Sequence, residues 1–271
     1  MKNYFKRIAA IVLALTLTLT LSLTATAFAA TTTTALDKAV TDTAAYMHKT
    51  VTKPEVGSVG GEWAVIGLAR SGYAVPDSYY QTYYATVEAY VKDCEGVLHE
   101  KKYTEYSRVI LGLTAAGYDP RNVAGYDLTA PLADFDKTIW QGINSTAYAL
   151  IALDSSEYAN TQRDKYIAEI LRRQMPDGSW TEYGASDTTG FVLQALAAYQ
   201  DKPEVKAATD KAVAFLSKLQ DAQGGYSSSD GACVESAVQV LVALCELGIS
   251  VDDARFVKNG KTLVDNILSF Q

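Results

Sequence analysis

The chain of 271 residues has little positive charge, little cysteine and little histidine. Lysine and arginine total 24 against 31 acidic residues, which gives a formal net charge of -7. A surface that neutralises nucleic-acid phosphates is therefore not expected. Two histidines, and three cysteines without paired spacing, argue against a zinc site and a disulfide-built scaffold. Since 48% of the residues are hydrophobic, a packed core is expected to carry the fold.

Residues 1–29 have the pattern of a secretory signal peptide. Lys2, Lys6 and Arg7 precede an apolar run that ends near Leu23, and small residues follow it. Cleavage near Ala29 fits the Ala-x-Ala rule and leaves a short linker, 30–34, before a mature domain, 35–271. The alternative is an uncleaved anchor helix, but the run is short and interrupted by threonines. The mature protein is therefore expected to be secreted, extracellular and free of the membrane.

Export makes the cysteines informative, because secreted chains normally pair their thiols or omit them. Cys233 and Cys245 lie on one predicted helix, about 18 Å apart, which is too far for a disulfide. At least one thiol is expected to stay free. Cys245 has apolar neighbours and is expected to be a buried structural residue.

From residue 35 onward the apolar residues recur every three or four positions, which predicts an all-α fold. One kind of helix, nearly uncharged, recurs about every 45 residues. We call these the inner helices, because such a helix is expected to be buried on most sides. Each contains an anchor leucine: Leu68, Leu113, Leu153, Leu196 and Leu244. More polar, amphipathic outer helices are predicted over 35–50, 77–93, 128–138, 161–175, 203–220 and 254–270.

The alternation of inner and outer helices predicts stacked helical hairpins. They can form an open superhelix or a ring, and a ring explains why the inner helices are apolar all round. We therefore predict an α/α toroid, incomplete relative to a six-hairpin barrel, with five inner and six outer helices. The gap is expected to expose apolar flanks near 63–68 and 238–244. Three explanations of the missing inner helix are open: the ring is open and self-associates, a second chain closes it, or the chain is a truncated product.

Two loops that lead into inner helices share a glutamine and an aromatic residue six positions apart. These pairs are Gln174 with Trp180, and Gln220 with Tyr226. A weaker copy at 93–98 keeps only an acidic turn and a Gly-x-apolar ending. The glutamine is expected to bond loop backbone while the aromatic ring fills the gap between neighbouring hairpins. We therefore predict a structural role for both.

The glutamine-to-aromatic repeat, with its helical hairpins, resembles the α/α toroid superfamily of squalene and terpenoid cyclases and protein prenyltransferase β subunits. The resemblance covers about residues 35–271. The segments 60–72, which begins Gly60-Gly61-Glu62-Trp63, 102–108 and Trp140-Gln141-Gly142 are similar to those of secreted Gram-positive proteins in which such a toroid often precedes a transcobalamin-like β domain. The resemblance implies the toroid fold. It implies no particular activity.

The catalytic motifs of that superfamily are missing from the sequence. The Asp-x-Asp-Asp acid of squalene-hopene-type cyclases has a single counterpart carboxylate, in Asp187. The zinc site of prenyltransferases needs Asp-x-Cys and a later histidine, but His48 and His99 both precede Cys233 and no Asp-x-Cys occurs. The thioester motif Cys-Gly-Glu-Gln is also missing. We therefore expect no metal and no cofactor.

A polar and aromatic set of residues lies near the starts of the inner helices. One group lies eight or nine residues before the anchor leucine and another lies five before it. Because four residues make about one turn, the two groups share a helix face. In a ring they converge on one end of the central cavity. The candidate ligand-binding residues are Trp63, Glu105, Tyr106, Arg108, Asn144, Tyr148, Asp187, Phe191, Glu235 and Gln239.

For half of these candidates a purely structural role is an alternative. Asp187 and Asn144 are typical of helix N-caps, where a short polar side chain accepts from free backbone N–H groups. Trp63, Tyr106 and Phe191 are equally typical of core aromatics.

The favoured hypothesis is a non-catalytic module that binds an apolar or mixed-polarity ligand, or a cell-surface partner, at the N-terminal end of the inner helices. One alternative is an enzyme of isoprenoid-cyclase, prenyltransferase or glycan chemistry. It predicts that Glu105, Asp187 and Glu235 share one deep cavity and have raised carboxyl pKa values. The other is a truncated scaffold, which predicts a cavity filled by side chains.

Overall fold

The computed structural model describes residues 23–57, 60–181, 185–228 and 231–271, with side chains from residue 35 onward. Across these ranges the chain is mostly helical, so the all-α prediction is confirmed. The helices are α1 (Leu23–Thr50), α2 (Glu62–Arg70), α3 (Asp77–Asp93), α4 (Thr104–Ala116), α5 (Phe135–Thr138), α6 (Gly142–Asp154), α7 (Arg163–Arg172), α8 (Ala185–Leu196), α9 (Pro203–Leu219), α10 (Val234–Glu246) and α11 (Leu263–Leu268). Short 3-10 helices lie at Ala130–Ala133, Ile139–Gln141, Ala197–Tyr199 and Ala254–Phe256. A two-stranded antiparallel ribbon pairs β1 (Ser227–Ser228) with β2 (Gly231–Ala232).

Within the described residues helix α1 covers Leu23–Thr50 and runs without a break through the predicted linker at 30–34. Most of the predicted signal peptide, residues 1–22, lies outside the described residues, and its cleavage stays a prediction. Within the described ranges, no helix combines the length and the apolar character that crossing a membrane requires.

Two of the predicted outer helices are interrupted, and each break has a local cause. The segment 128–138 divides because the Asp134 side chain accepts from the Lys137 N–H and so caps a new helix, α5. The segment 254–270 divides because Asn259 and Gly260 adopt φ of 51° and 75°, which a helix does not allow. Thr262 then opens α11 with a capping box.

The inner helices pack on one another in chain order: α2 on α4, α4 on α6, α6 on α8, and α8 on α10. Outer helices pack against four of them: α3 against α4, α7 against α6, α9 against α8, and α11 against α10. Helix α6 also contacts the short outer helix α5. Helix α6, in the middle of the series, buries nine of its 13 residues. An outer helix such as α7 buries only one stripe, which includes Tyr166, Ile167 and Ile170. This contrast is the physical basis of the uncharged inner sequences.

The two ends of this series are connected through α1 and α11. Helix α1 packs on α2, α11 packs on α10, and α11 also contacts α1. At the predicted gap, Val65 and Leu68 are buried, as are Val240 and Leu244. The exposure expected along 63–68 and 238–244 is therefore limited to a few side chains, of which Trp63 is 43% exposed and Val238 and Val242 are each 39% exposed.

Helices α8 and α10 approach closely at Gly190. A Cβ atom at this position would lie 3.0 Å from the carbonyl carbon and oxygen of Gln239 and 3.1 Å from the backbone nitrogen of Val240. Backbone atoms of a packed helix cannot move aside cheaply. The glycine therefore permits the close crossing of the two helices.

A Gly190→Ala variant is expected to lose about 1–2 kcal/mol of unfolding free energy, because the overpacking cost exceeds the gain in helix propensity. Gly67→Ala is the matched control. Its Cβ would meet only the flexible end of Met47, at 3.0 Å, so the change should be neutral or stabilising. Urea denaturation measures both. A Gly190→Ala chain as stable as the Gly67→Ala chain would contradict the close crossing.

The two glutamine-to-aromatic turns are built alike. The Gln174 amide nitrogen donates to the carbonyls of Gly178, at 3.0 Å, and Ala208, at 2.8 Å. The Trp180 Nε1–H donates to the carbonyl of Ile170, at 2.9 Å, and its side chain is buried. The turn is thus joined to the preceding helix, α7, and to the following outer helix, α9.

The second turn repeats these bonds at equivalent positions. The Gln220 amide nitrogen donates to the carbonyls of Gly224, at 2.8 Å, and Phe256, at 2.9 Å. The hydroxyl of Tyr226 donates to the carbonyl of Leu216, at 2.9 Å. The backbone bonds that we predicted for the glutamines are present in both turns, and both aromatic rings are buried.

Candidate functional site

A cavity of about 510 Å³ lies among the five inner helices. Every one of α2, α4, α6, α8 and α10 contributes side chains to its wall. The lining residues are Trp63, Ile66, Arg70, Leu111, Ala115, Tyr148, Ile151, Ser155, Phe191, Gln194 and Gln239. Apolar and aromatic side chains predominate, with a few polar groups among them, which is the usual composition of a small-molecule site.

The lining residues occupy the same register on each helix. On α6 and at its C-cap they are Tyr148, Ile151 and Ser155, separated by three and then four residues. This spacing keeps side chains on one face of an α-helix. Trp63 on α2 and Phe191 on α8 precede their anchor leucines by the same interval as Tyr148. The anchor leucines are buried on another face, so one stripe of each inner helix is left to border the cavity.

A smaller cavity of about 260 Å³ adjoins the first, and the two share Tyr148, Phe191 and Gln239. It lies at the beginnings of α6, α8 and α10. Its lining residues are Asn144, Tyr148, Asp187, Thr188, Phe191, Glu235 and Gln239. The wall of the smaller cavity therefore carries two carboxylates, whereas the wall of the larger one carries none.

A row of aromatic rings lies where the two cavities meet. The ring of Tyr148 lies 4.3 Å from that of Phe191 and 6.1 Å from that of Trp63, measured between centroids. Burial raises the pKa of Tyr148 to about 12, although Arg108 opposes the shift. The hydroxyl therefore stays neutral near pH 7.

The carboxylates of the smaller cavity differ in their surroundings. One oxygen of Asp187, Oδ1, is buried and has no hydrogen-bond partner in the part of the chain that the structure describes. Glu235 is exposed and accepts from Cys233 Sγ at 3.3 Å. Hydrogen bonds lower the pKa of the Glu235 carboxyl; the bond from its own backbone N–H has the larger effect and that from the Cys233 thiol the smaller.

A hydrogen bond between glutamines connects α8 to α10 on the wall of the larger cavity. The amide nitrogen of Gln194 donates to Gln239 Oε1 at 2.8 Å.

Seven of the ten predicted site residues line these two cavities: Trp63, Asn144, Tyr148, Asp187, Phe191, Glu235 and Gln239. The N-cap alternative is wrong for Asn144, because the cap of α6 is Gln141. It is also wrong for Asp187, which lies inside α8 (Ala185–Leu196). Trp63 and Phe191, for which a core role was the alternative, both have side chains in the cavity walls. Their role in binding stays a prediction.

The other three predicted residues, Glu105, Tyr106 and Arg108, lie outside both cavities. Tyr106 is buried, accepts from the backbone N–H of Leu98 at 3.1 Å and contacts the ring of Tyr103. It holds the turn at 96–98, so the core-aromatic alternative applies to it. In the sequence, Tyr106 lies near the start of an inner helix, as the lining residues do, but in the structure its side chain packs in the core.

Glu105 and Arg108 belong to an ion-pair network whose centre is Glu62. The carboxylate of Glu62 is fully buried and accepts from Arg108 Nε at 3.2 Å. It also accepts from the backbone N–H of Gly57, at 3.2 and 3.1 Å to its two oxygens. A second nitrogen of Arg108 contacts Glu105. Burial raises the pKa of Glu62, and the bonds from its own backbone, Gly57 and Arg108 counteract this shift.

Several lining residues were missed by the sequence reasoning: Ile66, Arg70, Leu111, Ala115, Ile151, Ser155, Thr188 and Gln194. Most of them continue the predicted face by three or seven residues toward the helix C-terminus. These residues could have been found by following the same helix face beyond the first turn of each inner helix. Glu62 was also missed as a charged core residue, although it lies in the quoted Gly60-Gly61-Glu62-Trp63 segment.

Two further features of the described part of the chain are its potential metal ligands and its cysteines. Among those residues, no group of three or more histidine, cysteine, aspartate or glutamate side chains is arranged to hold a metal ion. Cys94, Cys233 and Cys245 are all free thiols, which confirms that Cys233 and Cys245 do not bridge. Cys245 is partly buried, and burial raises its pKa.

Comparison with known proteins does not identify a relative. No protein family, curated protein or solved structure matches the chain.

Proposed function

We propose that this chain is an exported α/α toroid that binds a small molecule of mixed polarity in its two adjoining cavities and does not transform it. The series of inner helices, connected at its ends through α1 and α11, supports the ring. The observation that carries the binding function is the shared register. One stripe on each of five helices borders a space of about 510 Å³ instead of filling it.

The polarity of the wall supports a ligand with two chemically different parts. Ile66, Leu111 and Ile151 border the larger cavity, which suits an apolar group. Asn144 and Asp187 border the smaller one, which suits a group that donates hydrogen bonds. A ligand that spans both cavities satisfies both.

Binding without catalysis is favoured over an enzyme by the placement of the carboxylates. The enzyme hypothesis needs Glu105, Asp187 and Glu235 together, with raised pKa values. Glu105 instead contacts Arg108, outside the cavities, and the pKa of Glu235 is lowered. A carboxyl of lowered pKa is a poor general acid near neutral pH. The scaffold hypothesis expects a filled centre and is disfavoured by the open volume.

The proposal is tested with N-phenyl-1-naphthylamine, a neutral dye whose emission rises in apolar surroundings. The full chain should bind this dye saturably at one site. Ile151→Trp should weaken binding at least tenfold, because the larger side chain occupies space that the dye needs. Circular dichroism checks that the variant folds.

Val97→Trp is the matched control, because Val97 is 52% exposed and outside both cavities. It should bind the dye as the unaltered chain does. Equal dye affinity in the two tryptophan variants, or no saturable binding to the unaltered chain, would overturn the proposal.

A further inference from the structure

The smaller cavity has an excess of negative charge. Asp187 and Glu235 both line it, and among the described residues of its wall there is no cationic side chain. The nearby guanidinium of Arg108 is engaged by Glu62 and Glu105. Arg70 lines the larger cavity, away from this end. A positively charged group is therefore the electrostatic complement of the smaller cavity.

The Asp187 side chain is the more sheltered of the two carboxylates. It lines the smaller cavity and is partly buried. Its Oδ1 atom is shielded from solvent and has no hydrogen-bond partner among the described residues. An N–H group of a ligand in the cavity can contact the part of this side chain that lines the wall. A charged donor would bind the carboxylate more strongly than a neutral one.

The aromatic rings supply a second favourable surface for a cation. Tyr148 and Phe191 border both cavities and contact each other, with centroids 4.3 Å apart. The face of an aromatic ring attracts an ammonium group through its quadrupole. Beyond these rings lie Ile66, Leu111 and Ile151, which offer an apolar surface for a carbon chain. Acidic, aromatic and apolar surfaces thus follow one another along one path.

From this sequence of surfaces we infer that the ligand is an organic amine that carries an alkyl or similar apolar chain. Its ammonium group binds between Asp187 and Glu235, against Tyr148 and Phe191, and its chain enters the larger cavity. The inference rests on the proposed function and specifies the ligand class for the same site.

The experiment compares three ligands that share an eight-carbon chain: octylammonium, 1-octanol and octanoate. Calorimetric titration of the full chain should give octylammonium an affinity at least tenfold higher than that of 1-octanol. Octanoate should bind more weakly than either. In Asp187→Asn the ratio of octylammonium to 1-octanol affinity should fall to near one. Glu235→Gln should lower this ratio less, because Glu235 is more exposed.

Asp136→Asn is the control, since it makes the same change of charge at an exposed residue of α5 outside both cavities. It should keep the ratio of the unaltered chain. Binding of 1-octanol and the dye with no preference for octylammonium, or with octanoate preferred, would overturn the amine inference and leave the proposed function standing. If the dye and all three ligands fail to bind, the proposed function is wrong and the inference falls with it.

Discussion

An Arg108→Met variant is expected to lose about 3–5 kcal/mol of unfolding free energy, because it leaves a buried carboxylate without its counter-ion. Glu62 is fully buried and has Arg108 as its cation, at 3.2 Å. Methionine fills much of the same volume, so the loss is mainly electrostatic. The loss should shrink as the pH falls toward the raised pKa of Glu62, because a protonated carboxyl needs no counter-ion.

Two further variants isolate the electrostatic part of this loss. Glu62→Gln combined with Arg108→Met removes both charges and should recover most of the stability. Arg121→Met breaks an exposed pair with Asp119, in which the two side chains are 58% and 51% exposed, and should cost less than about 1 kcal/mol. Denaturant unfolding at two pH values measures all three. If the double variant is no more stable than Arg108→Met, the buried charge is not the cause.

Trp180→Ala is expected to cost about 3–5 kcal/mol, as is usual when a large buried aromatic side chain is truncated. Trp180 is 1% exposed and donates from Nε1 to the carbonyl of Ile170. The change creates a cavity and also leaves that buried carbonyl with one bond fewer. Trp180→Phe keeps most of the packing, so its smaller loss separates the hydrogen bond from the volume.

Trp140→Ala is the matched control, because Trp140 is 62% exposed. It should change stability by no more than about 0.5 kcal/mol. Thermal or denaturant unfolding followed by circular dichroism suits all of these variants, since tryptophan fluorescence changes with the substitution itself. A loss for Trp180→Ala as small as that for Trp140→Ala would contradict the structural role of the turn.

The helices were predictable wherever their signals are local. The prediction of 77–93 coincides with α3, and 203–220 exceeds α9 by one residue. The prediction of 254–270 failed because amphipathic spacing outweighed the Asn259-Gly260 dipeptide, which is a typical turn signal. The prediction of 35–50 is shorter than α1, which also includes 23–34, because the small residues of the expected cleavage site and linker were not assigned to a helix.

The candidate site was predictable where it depends on register along a single helix. Tyr148, Phe191 and Gln239 were found because equal distances from the anchor leucines imply equal faces. The pairing of Arg108 with Glu62 joins α4 to α2, so it depends on how the two helices are rotated and on the loop that brings Gly57 near. No spacing within one helix contains that information. Arg108 was consequently predicted to line the cavity.

The repeated turns have a consequence for how such a chain can change in length. Each glutamine bonds to the next outer element, at Ala208 or Phe256, and each aromatic residue bonds back to its own outer helix, at Ile170 or Leu216. A unit of this kind contains the side chains that hydrogen-bond to both of its neighbours. Tandem duplication of one unit would therefore add a hairpin that can form the same hydrogen bonds at both of its ends. The width of the central space would then change by recombination rather than by stepwise remodelling of its wall.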